Sequence, residues 1–537
     1  MPEAGTTLLD RYRSVVADDP DRVAVIDPDG TAVTAGQLVD RAERAGAGLL
    51  RVGLRRGRHL GVFLPNRSTW VVAALAASRA GVGVLGLNTR FREAELNHLL
   101  GLADVDTVVV ADRFLGVDGP GLMAGLERPP RVLVDHDPQI APTPTSWSRV
   151  EAGPAPETGG PSPQGRAGDP LIGFTTSGTT GFPKIAMHTG AQTVDHLDAA
   201  VASFGLGPTT VTLVPLPLCG AFGYTLTMAT LLAGGRVVLH DTWDPDRAAA
   251  DIGRHGVTFF SASDDMLLSV ASSRSFDPVT TWRIGGFADF TNRGPEVVHR
   301  LDERTGGRTR LAGLYGSSEG FALMATFDHA DPVEQRTANG GHLVGPAMAV
   351  RACDPETGRP LPHGQPGELQ FRGPNLVDGY LDNPEATARA FTADGWYRSG
   401  DLGHTIEADR RGHQGFVFRA RMGDALRLRG FLCDPAEIET HLERHPAVEL
   451  AQVVGVSRPG LGDVAVAFVR LVDGGDGQDG SVTTDLAGHC RRGLANYKRP
   501  ARIVVIDEFP VTDGPNGAKI RKVELRERAE LLLGSAD

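Results

Sequence analysis

The chain reads as an α/β protein: a large N-terminal domain of layered α/β subdomains with mainly parallel sheets, followed by a small α+β domain. Three observations predict this. Helix-period segments alternate with short apolar runs through most of the chain, the texture changes after Gly415, and 537 residues exceed what one hydrophobic core commonly supports. Apolar residues at helical spacing from Thr34 to Leu54 predict a helix, HLGVFLP from His59 a buried strand, and Trp70 to Ala80 a second helix. VDTVVVA from Val105 and PRVLVD from Pro130 continue the strands. Residues 152–169 are rich in Pro and Gly and too polar to pack, which predicts an exposed connection. After Gly415, FVFRARMGDALRLRG alternates like strands around a turn, and the small domain is expected to begin near Asp424. DPAEIETHLERH reads as a capped helix, AQVVGV and VAVAFVRL as strands, and VDGGDGQDGSVTT as a surface loop.

Composition excludes several functions. At 41% hydrophobic and 22% charged the chain is ordinary globular protein, and a net charge of -12 argues against general nucleic-acid binding or a polybasic membrane anchor. Cys219, Cys353, Cys433 and Cys490 are far apart and form no CxxC pair, so they predict neither a zinc site nor a disulfide framework but reduced thiols in the cytoplasm. The N-terminus is acidic where a signal peptide is basic, and no run approaches a membrane span, so neither export nor anchoring is expected.

Lysine occurs only at Lys184, Lys498, Lys519 and Lys522, in a chain whose other cations are all arginine. Lys is a compact point charge where Arg is a planar fork, so a site needing one ammonium beside crowded oxygens does not accept the exchange. Lys184 closes the loop Thr175, Thr176, Ser177, Gly178, Thr179, Thr180, Gly181, Phe182, Pro183, which follows a buried strand. Glycines let backbone amides turn toward an anion and hydroxyls add donors, so the loop suits a polyphosphate. It is not a Walker A loop, because Ile185 follows the lysine.

TTSGTTGFPK resembles the phosphate-loop signature of the class I adenylate-forming superfamily, and further matches follow in that family's order. LYGSSEG at 314–320, GELQFRGPNLVDGYLDNPEAT, WYRSGDLG, RARMGDALRLRGFLCDPAEIE, ANYKRP and FPVTDGPNGAKIRKVELR together cover almost the whole chain. The resemblance implies an N-terminal domain over 1–420 that binds ATP and acid, a hinge at 421–424 centred on Gly423, and a mobile lid domain over 425–537. It implies that Thr176, Ser177, Gly178, Thr179, Thr180 and Lys184 handle the ATP phosphates, with Gly286, Phe287, Gly316, Ser317 and Ser318 also around the nucleotide and Tyr315 near adenine. Glu319 is implied as the Mg2+ ligand, Asp401 as acceptor from the ribose hydroxyls, and Arg421 as a contact to ribose or phosphate. Asp401 capping a turn and Arg421 pairing on the surface are the plainer alternatives. Lys519, with Thr180 and Glu319, is implied as catalytic: it stabilises charge at the α-phosphate, while Lys522 supports and Lys498 lies on the surface. Arg429, Gly430 and Phe431 are implied to line a tunnel for the thiol of coenzyme A, opened by rotation of the lid.

Three positions depart from the family pattern. Gly423 stands where Asp or Lys is usual and frees the hinge φ. Thr512 precedes Lys519 by seven residues instead of four, and Ala518 separates the lysine from Gly517, so the longer DGPNGA loop either weakens self-adenylation or is a harmless variant. In the acid site, PLPLCGAFG places Leu218 where His is common, with Cys219 next, and IGGFADF replaces the usual wall. Phe222, Phe287 and Phe321 are expected to line an apolar cavity, with Gly220, Gly223, Gly286 and Gly320 giving room, for a bulky hydrophobic acid; Asp264, Asp265 and Asp289 have no assigned place. The expected function is an acyl-CoA ligase using ATP, Mg2+ and coenzyme A on a carboxylic acid or its acyl-adenylate. Transfer to a carrier-protein thiol and a non-catalytic ligand-binding protein are the alternatives, and oligomeric state is left open, a homodimer included.

Overall fold

A computed structural model describes residues 6–136, 143, 145–153, 165–176, 183–290, 293–424, 426–428, 431–433, 435–458, 462–472, 481–494, 496–514 and 517–534. The helix Ala35–Arg51 starts where Thr34 and Gln37 form a reciprocal capping box, and it buries Leu38, Ala42, Ala45 and Leu49 along one face. That face meets the helix Ser68–Ala80, which is buried nearly all round. Small residues allow the approach: a Cβ on Gly46 would sit 3.0 Å from the carbonyl oxygen of Ala76.

Among the described residues the strands ahead of the C-terminal part form one sheet of 14, one of 6 and a two-stranded hairpin, Arg113–Phe114 with Val117–Asp118. The 6-stranded sheet runs parallel through Pro170–Thr176, Gly83–Gly86, His59–Phe63, Thr107–Ala111 and Arg131–Asp135, and ends in an antiparallel hairpin partner, Lys184–Thr189. The larger sheet is parallel from Val23–Ile26 across to Arg310–Ser317 and antiparallel from there to Ala349–Cys353. The architecture is therefore mixed. Helices recross the faces of the parallel half, whereas beyond Arg310 short turns such as the one from Arg310–Ser317 to Phe321–Thr326 join paired strands, which only antiparallel pairing permits.

The C-terminal part builds its own sheet from Leu426–Leu428, Phe431–Cys433, Val448–Arg458, Gly462–Leu471 and Arg502–Val505. Its strands alternate. Ala465, Ala467 and Val469 join Ile438, Leu442 and Leu486 in one core, while Val466 and Phe468 join Leu525 and Ala529 of the last helix in another. Residues 481–484, expected in a surface loop, instead begin the helix Ser481–Gly493. Burial of Leu486 and Cys490 outweighs the weak helix preference of Val482, Thr483 and Thr484. Residues 473–480 of that loop and 154–164 of the earlier connection lie outside the described residues. Among the described residues no helix is long and apolar enough to cross a membrane, and all four cysteines are free and buried.

Candidate active site

The strand Tyr397–Ile406 pairs with Gly415–Arg421 so that Asp401 and Arg421 lie directly opposite each other. Arg421 Nη1 stands 2.9 Å from Asp401 Oδ1, and the Tyr315 hydroxyl donates to Asp401 Oδ2 at 2.5 Å. The Tyr315 ring is fixed by Phe371, Phe416 and Phe418 at centroid distances of 5.2, 4.9 and 6.0 Å. Burial pushes the Asp401 carboxyl upward, against the pull of Arg421 and of the tyrosine hydroxyl. Burial and the neighbouring carboxylate hold Tyr315 well above the ordinary phenol value, so it stays a donor. Asp401 Oδ1 is buried and has only the Arg421 ion pair as partner among the described residues, so the carboxylate keeps acceptor capacity that suits a vicinal diol.

A second cluster lies on the hairpin of the smaller sheet. Thr176 and Lys184 are cross-strand partners, and the Thr176 hydroxyl is buried without a partner among the described residues. Lys184 Nζ lies 4.3 Å above the centroid of Tyr380, and the hydroxyl of that tyrosine donates to Glu319 Oε1 at 2.7 Å. Ser177, Gly178, Thr179 and Thr180 lie outside the described residues, as do Arg429 and Gly430 of the expected tunnel; Phe431 opens the strand Phe431–Cys433. Among the described residues no three His, Cys, Asp or Glu side chains gather as a metal site. A single carboxylate near a lysine suits Mg2+ with a phosphate, since Mg2+ takes one or two protein carboxylates and completes its shell with phosphate oxygens and water.

The description "AMP-binding enzyme" belongs to the family model that matches residues 12–381, and "AMP-binding enzyme C-terminal domain" to the one matching 437–514. The chain is an adenylate-forming enzyme of the AMP-binding family. It is 32% identical to triostin synthetase I of Streptomyces triostinicus over 95% of this chain and 92% of that protein. It is 30% identical to sulfoacetate--CoA ligase of Cupriavidus necator, covering 98% and 99% of the two chains. The amide bond synthetase McbA from Marinactinospora thermotolerans superposes with a TM-score of 0.80 at 28% identity, over 97% of this chain and 99% of that one.

In this adenylate-forming enzyme the expected acid wall is apolar and tightly filled. Leu218, Cys219, Phe222, Phe287 and Phe321 are all buried, and burial pushes the Cys219 thiol up to about 12. The glycines serve internal packing: a Cβ on Gly286 would meet Leu314 Cγ at 2.2 Å, one on Gly223 the carbonyl oxygens of Leu216 and Pro217 at 2.4 Å, and one on Gly316 the Phe321 carbonyl oxygen at 2.6 Å. At Gly320 the neighbours are Met324 Sδ at 3.0 Å and Leu376 Cδ2 at 3.1 Å. Phe287 has no exposed surface and packs against Gly294. Ser317 Oγ accepts from the Gly320 amide at 3.1 Å, and the Ser318 carbonyl is 2.8 Å from His188 Nε2.

Phe321 carries a left-handed φ of 65°, and its ring lies between two imidazoles, His188 at 3.9 Å and His196 at 4.9 Å. Burial lowers these histidines to about 3 and about 4, so both are neutral. Two of the three unplaced acids, Asp264 and Asp289, support the loop after the strand Ile284–Ala288, and Asp265 bonds at the start of its own helix. Asp264 accepts from the amides of Phe290 and Arg293, Asp289 from the Gly294 amide and Asn339, and Asp265 from Ser263. Burial and the charge of Asp264 raise the Asp289 carboxyl, which is hydrogen-bonded to Asp264.

The insertion before Lys519 folds as a two-stranded hairpin, Val511–Gly514 with Gly517–Ile520, in which Thr512 and Lys519 are direct cross-strand partners. Its second strand lies against the helix Asp264–Ser272 of the large unit. Lys522 bonds the buried Glu439 at 3.0 Å and Lys498 bonds Glu437 at 2.5 Å, so both hold the helix Pro435–Glu443. Tyr380, Tyr397, His188 and His196 were not singled out by sequence reasoning. Tyr380 and Tyr397 fall inside the quoted motifs, but ring contacts and hydroxyl partners between separate motifs carry no sequence periodicity.

Proposed function

We propose that the chain is an acyl-CoA ligase that converts a bulky hydrophobic carboxylic acid into its acyl-adenylate with ATP and then into its CoA thioester. The observation that carries the nucleotide half is the buried Asp401 carboxylate held between Arg421 and Tyr315, which offers ribose a preorganised acceptor. Thr176 and Lys184 face the phosphates, and Glu319 would hold Mg2+, which when bound neutralises phosphate charge. Attack of the acid carboxylate on the α-phosphorus forms the mixed anhydride and expels pyrophosphate. Lys519 is assigned to the charge that builds on the α-phosphate oxygens. Rotation of 425–537 about 421–424 then withdraws the lysine and admits the thiol, which attacks the acyl carbon and displaces AMP. The apolar residues Leu218, Cys219 and Phe222 support a hydrophobic acyl group, and similarity to a CoA ligase across 99% of that protein's length supports CoA as acceptor. Pairing of Thr512 with Lys519 favours the harmless reading of the insertion.

Transfer to a carrier-protein thiol is the second reading, favoured by 30% identity to salicyl-AMP ligase / salicyl-S-ArCP synthetase of Mycobacterium tuberculosis over 92% of this chain. The test is a panel of hydrophobic acids assayed for pyrophosphate release, then for thioester with CoA or with a phosphopantetheinylated carrier protein. Acid-dependent pyrophosphate release with CoA thioester is expected. Thioester on carrier alone overturns the CoA assignment, and no pyrophosphate with any acid overturns the ligase.

A further inference from the structure

We infer that Tyr380 is a positioning residue which keeps the lysine and the carboxylate of the phosphate site apart and individually aimed. The inference rests on the reading that Lys184 serves phosphate and Glu319 serves the metal. One aromatic ring contacts both groups: the Lys184 ammonium sits over its face, 4.3 Å from the centroid, while its hydroxyl donates to Glu319 Oε1 at 2.7 Å. Among the described residues no ion pair joins Lys184 to Glu319, although both lie within reach of the same ring.

The arrangement answers a problem built into any site that gathers a lysine and a carboxylate around phosphate and metal. In a partly buried pocket of low effective dielectric, the two attract strongly. If they pair, the lysine no longer faces phosphate and the carboxylate no longer faces the cation. An aromatic face satisfies the ammonium through its quadrupole without neutralising it. A phenol hydroxyl satisfies one carboxylate oxygen and leaves the other for a metal ion. Hydrogen-bonded partners of this kind fix the orientation of a ligating carboxylate.

Tyr380 is itself held. Val377 N donates to the Glu319 carbonyl at 2.9 Å, tying the segment before Tyr380 to the Glu319 backbone, and the Tyr380 amide donates to Thr387 Oγ1 at 2.9 Å. Tyr397 lies beside Tyr380 and in the electrostatic field of both Glu319 and Tyr315, so the cluster reaches toward Asp401.

Two substitutions separate the two contacts. Tyr380→Phe keeps the ring under Lys184 and removes the hydroxyl from Glu319; Tyr380→Leu removes both. Calorimetric titration of the full chain with metal-free ATP, and Mn2+ binding to the ATP complex followed by electron paramagnetic resonance, read the two functions without turnover. Tyr380→Phe is expected to weaken Mn2+ binding by about tenfold or more and to leave metal-free ATP within about twofold of wild type. Tyr380→Leu is expected to weaken both, because Lys184 then pairs with Glu319. Tyr397→Phe, which removes a neighbouring hydroxyl that does not bond Glu319, should shift Mn2+ binding less than Tyr380→Phe. Unchanged Mn2+ binding in Tyr380→Phe overturns the inference, as does equal weakening of both ligands in both variants, which is the signature of a ring that only fills space. Failure of the unmodified protein to bind either form of ATP overturns the underlying reading of the site instead.

Discussion

Tyr315 shows how a single hydroxyl organises the end of the candidate site around Asp401. It is a neutral donor to a buried carboxylate, and hydrogen bonds to charged groups are among the stronger ones. Tyr315→Phe is expected to cost about 1.5–3 kcal/mol of stability and to raise the ATP half-saturation, as read by urea denaturation and nucleotide titration. The buried histidines set an acid limit. Their folded values of about 3 and about 4 lie below the ordinary 6.5, so over that interval the unfolded chain binds protons that the folded chain refuses. Their stabilisation is complete above about pH 6.5 and is lost as pH falls toward 4 and then 3. His196→Gln retains a donor for the Ala322 carbonyl, and its stability should lose about one proton's worth of pH slope between pH 4 and 6.5. Denaturation midpoints across that range check it; an unchanged slope would mean His196 titrates normally.

Two glycines mark opposite demands at the level of elements. On the strand Arg310–Ser317 a Cβ at Gly313 would meet the carbonyl oxygen of Ala338 at 2.0 Å. Backbone cannot yield as a side chain does, so Gly313→Ala should cost about 1–3 kcal/mol, visible as a lower thermal midpoint. Gly423 has open space around it and no left-handed φ, so nothing in this conformation requires glycine there. Gly423→Ala should hold or raise stability by about 0.4–1 kcal/mol through the unfolded chain. If glycine is kept for motion, the same variant slows thioester formation from supplied acyl-adenylate; a stabilised variant with unchanged thioester rate removes Gly423 from the hinge. Arg526 also bears on this segment, donating to the Gly423 carbonyl at 3.1 Å from the last helix.

Across the whole molecule, the arrangement divides the four lysines between two units. Lys184 stands in the large unit over Tyr380, while Lys498 and Lys522 hold a helix in the small one. Lys519 rides a hairpin that reaches the large unit at the helix Asp264–Ser272. Lys519→Ala should reduce pyrophosphate release by about 100-fold or more while leaving much of the thioester formation from supplied acyl-adenylate, since one preorganised charge commonly accounts for that much of a rate. Equal loss in both assays would place the lysine in folding or in thiol binding rather than in adenylation.

The sequence by itself determined the class of fold, the order of its elements and the family. Periodicity marked Ala35–Arg51, His59–Phe63 and Ser68–Ala80 to within a few residues, because each buries one face or all of itself and must repeat apolar residues accordingly. Contiguous motifs named Lys184, Glu319, Asp401 and Arg421, because a loop that cradles phosphate or a strand that presents a carboxylate is local. Tertiary structure alone decided the rest. The helical start at Ser481 depends on a core that the loop's composition does not reveal. The seven-residue gap between Thr512 and Lys519 reads as slack in one dimension, yet antiparallel pairing sets the two residues opposite each other. Tyr380 meets Lys184 across 196 positions and Glu319 across 61. Ring faces and hydroxyl partners obey three-dimensional distance, and separation along the chain does not encode it.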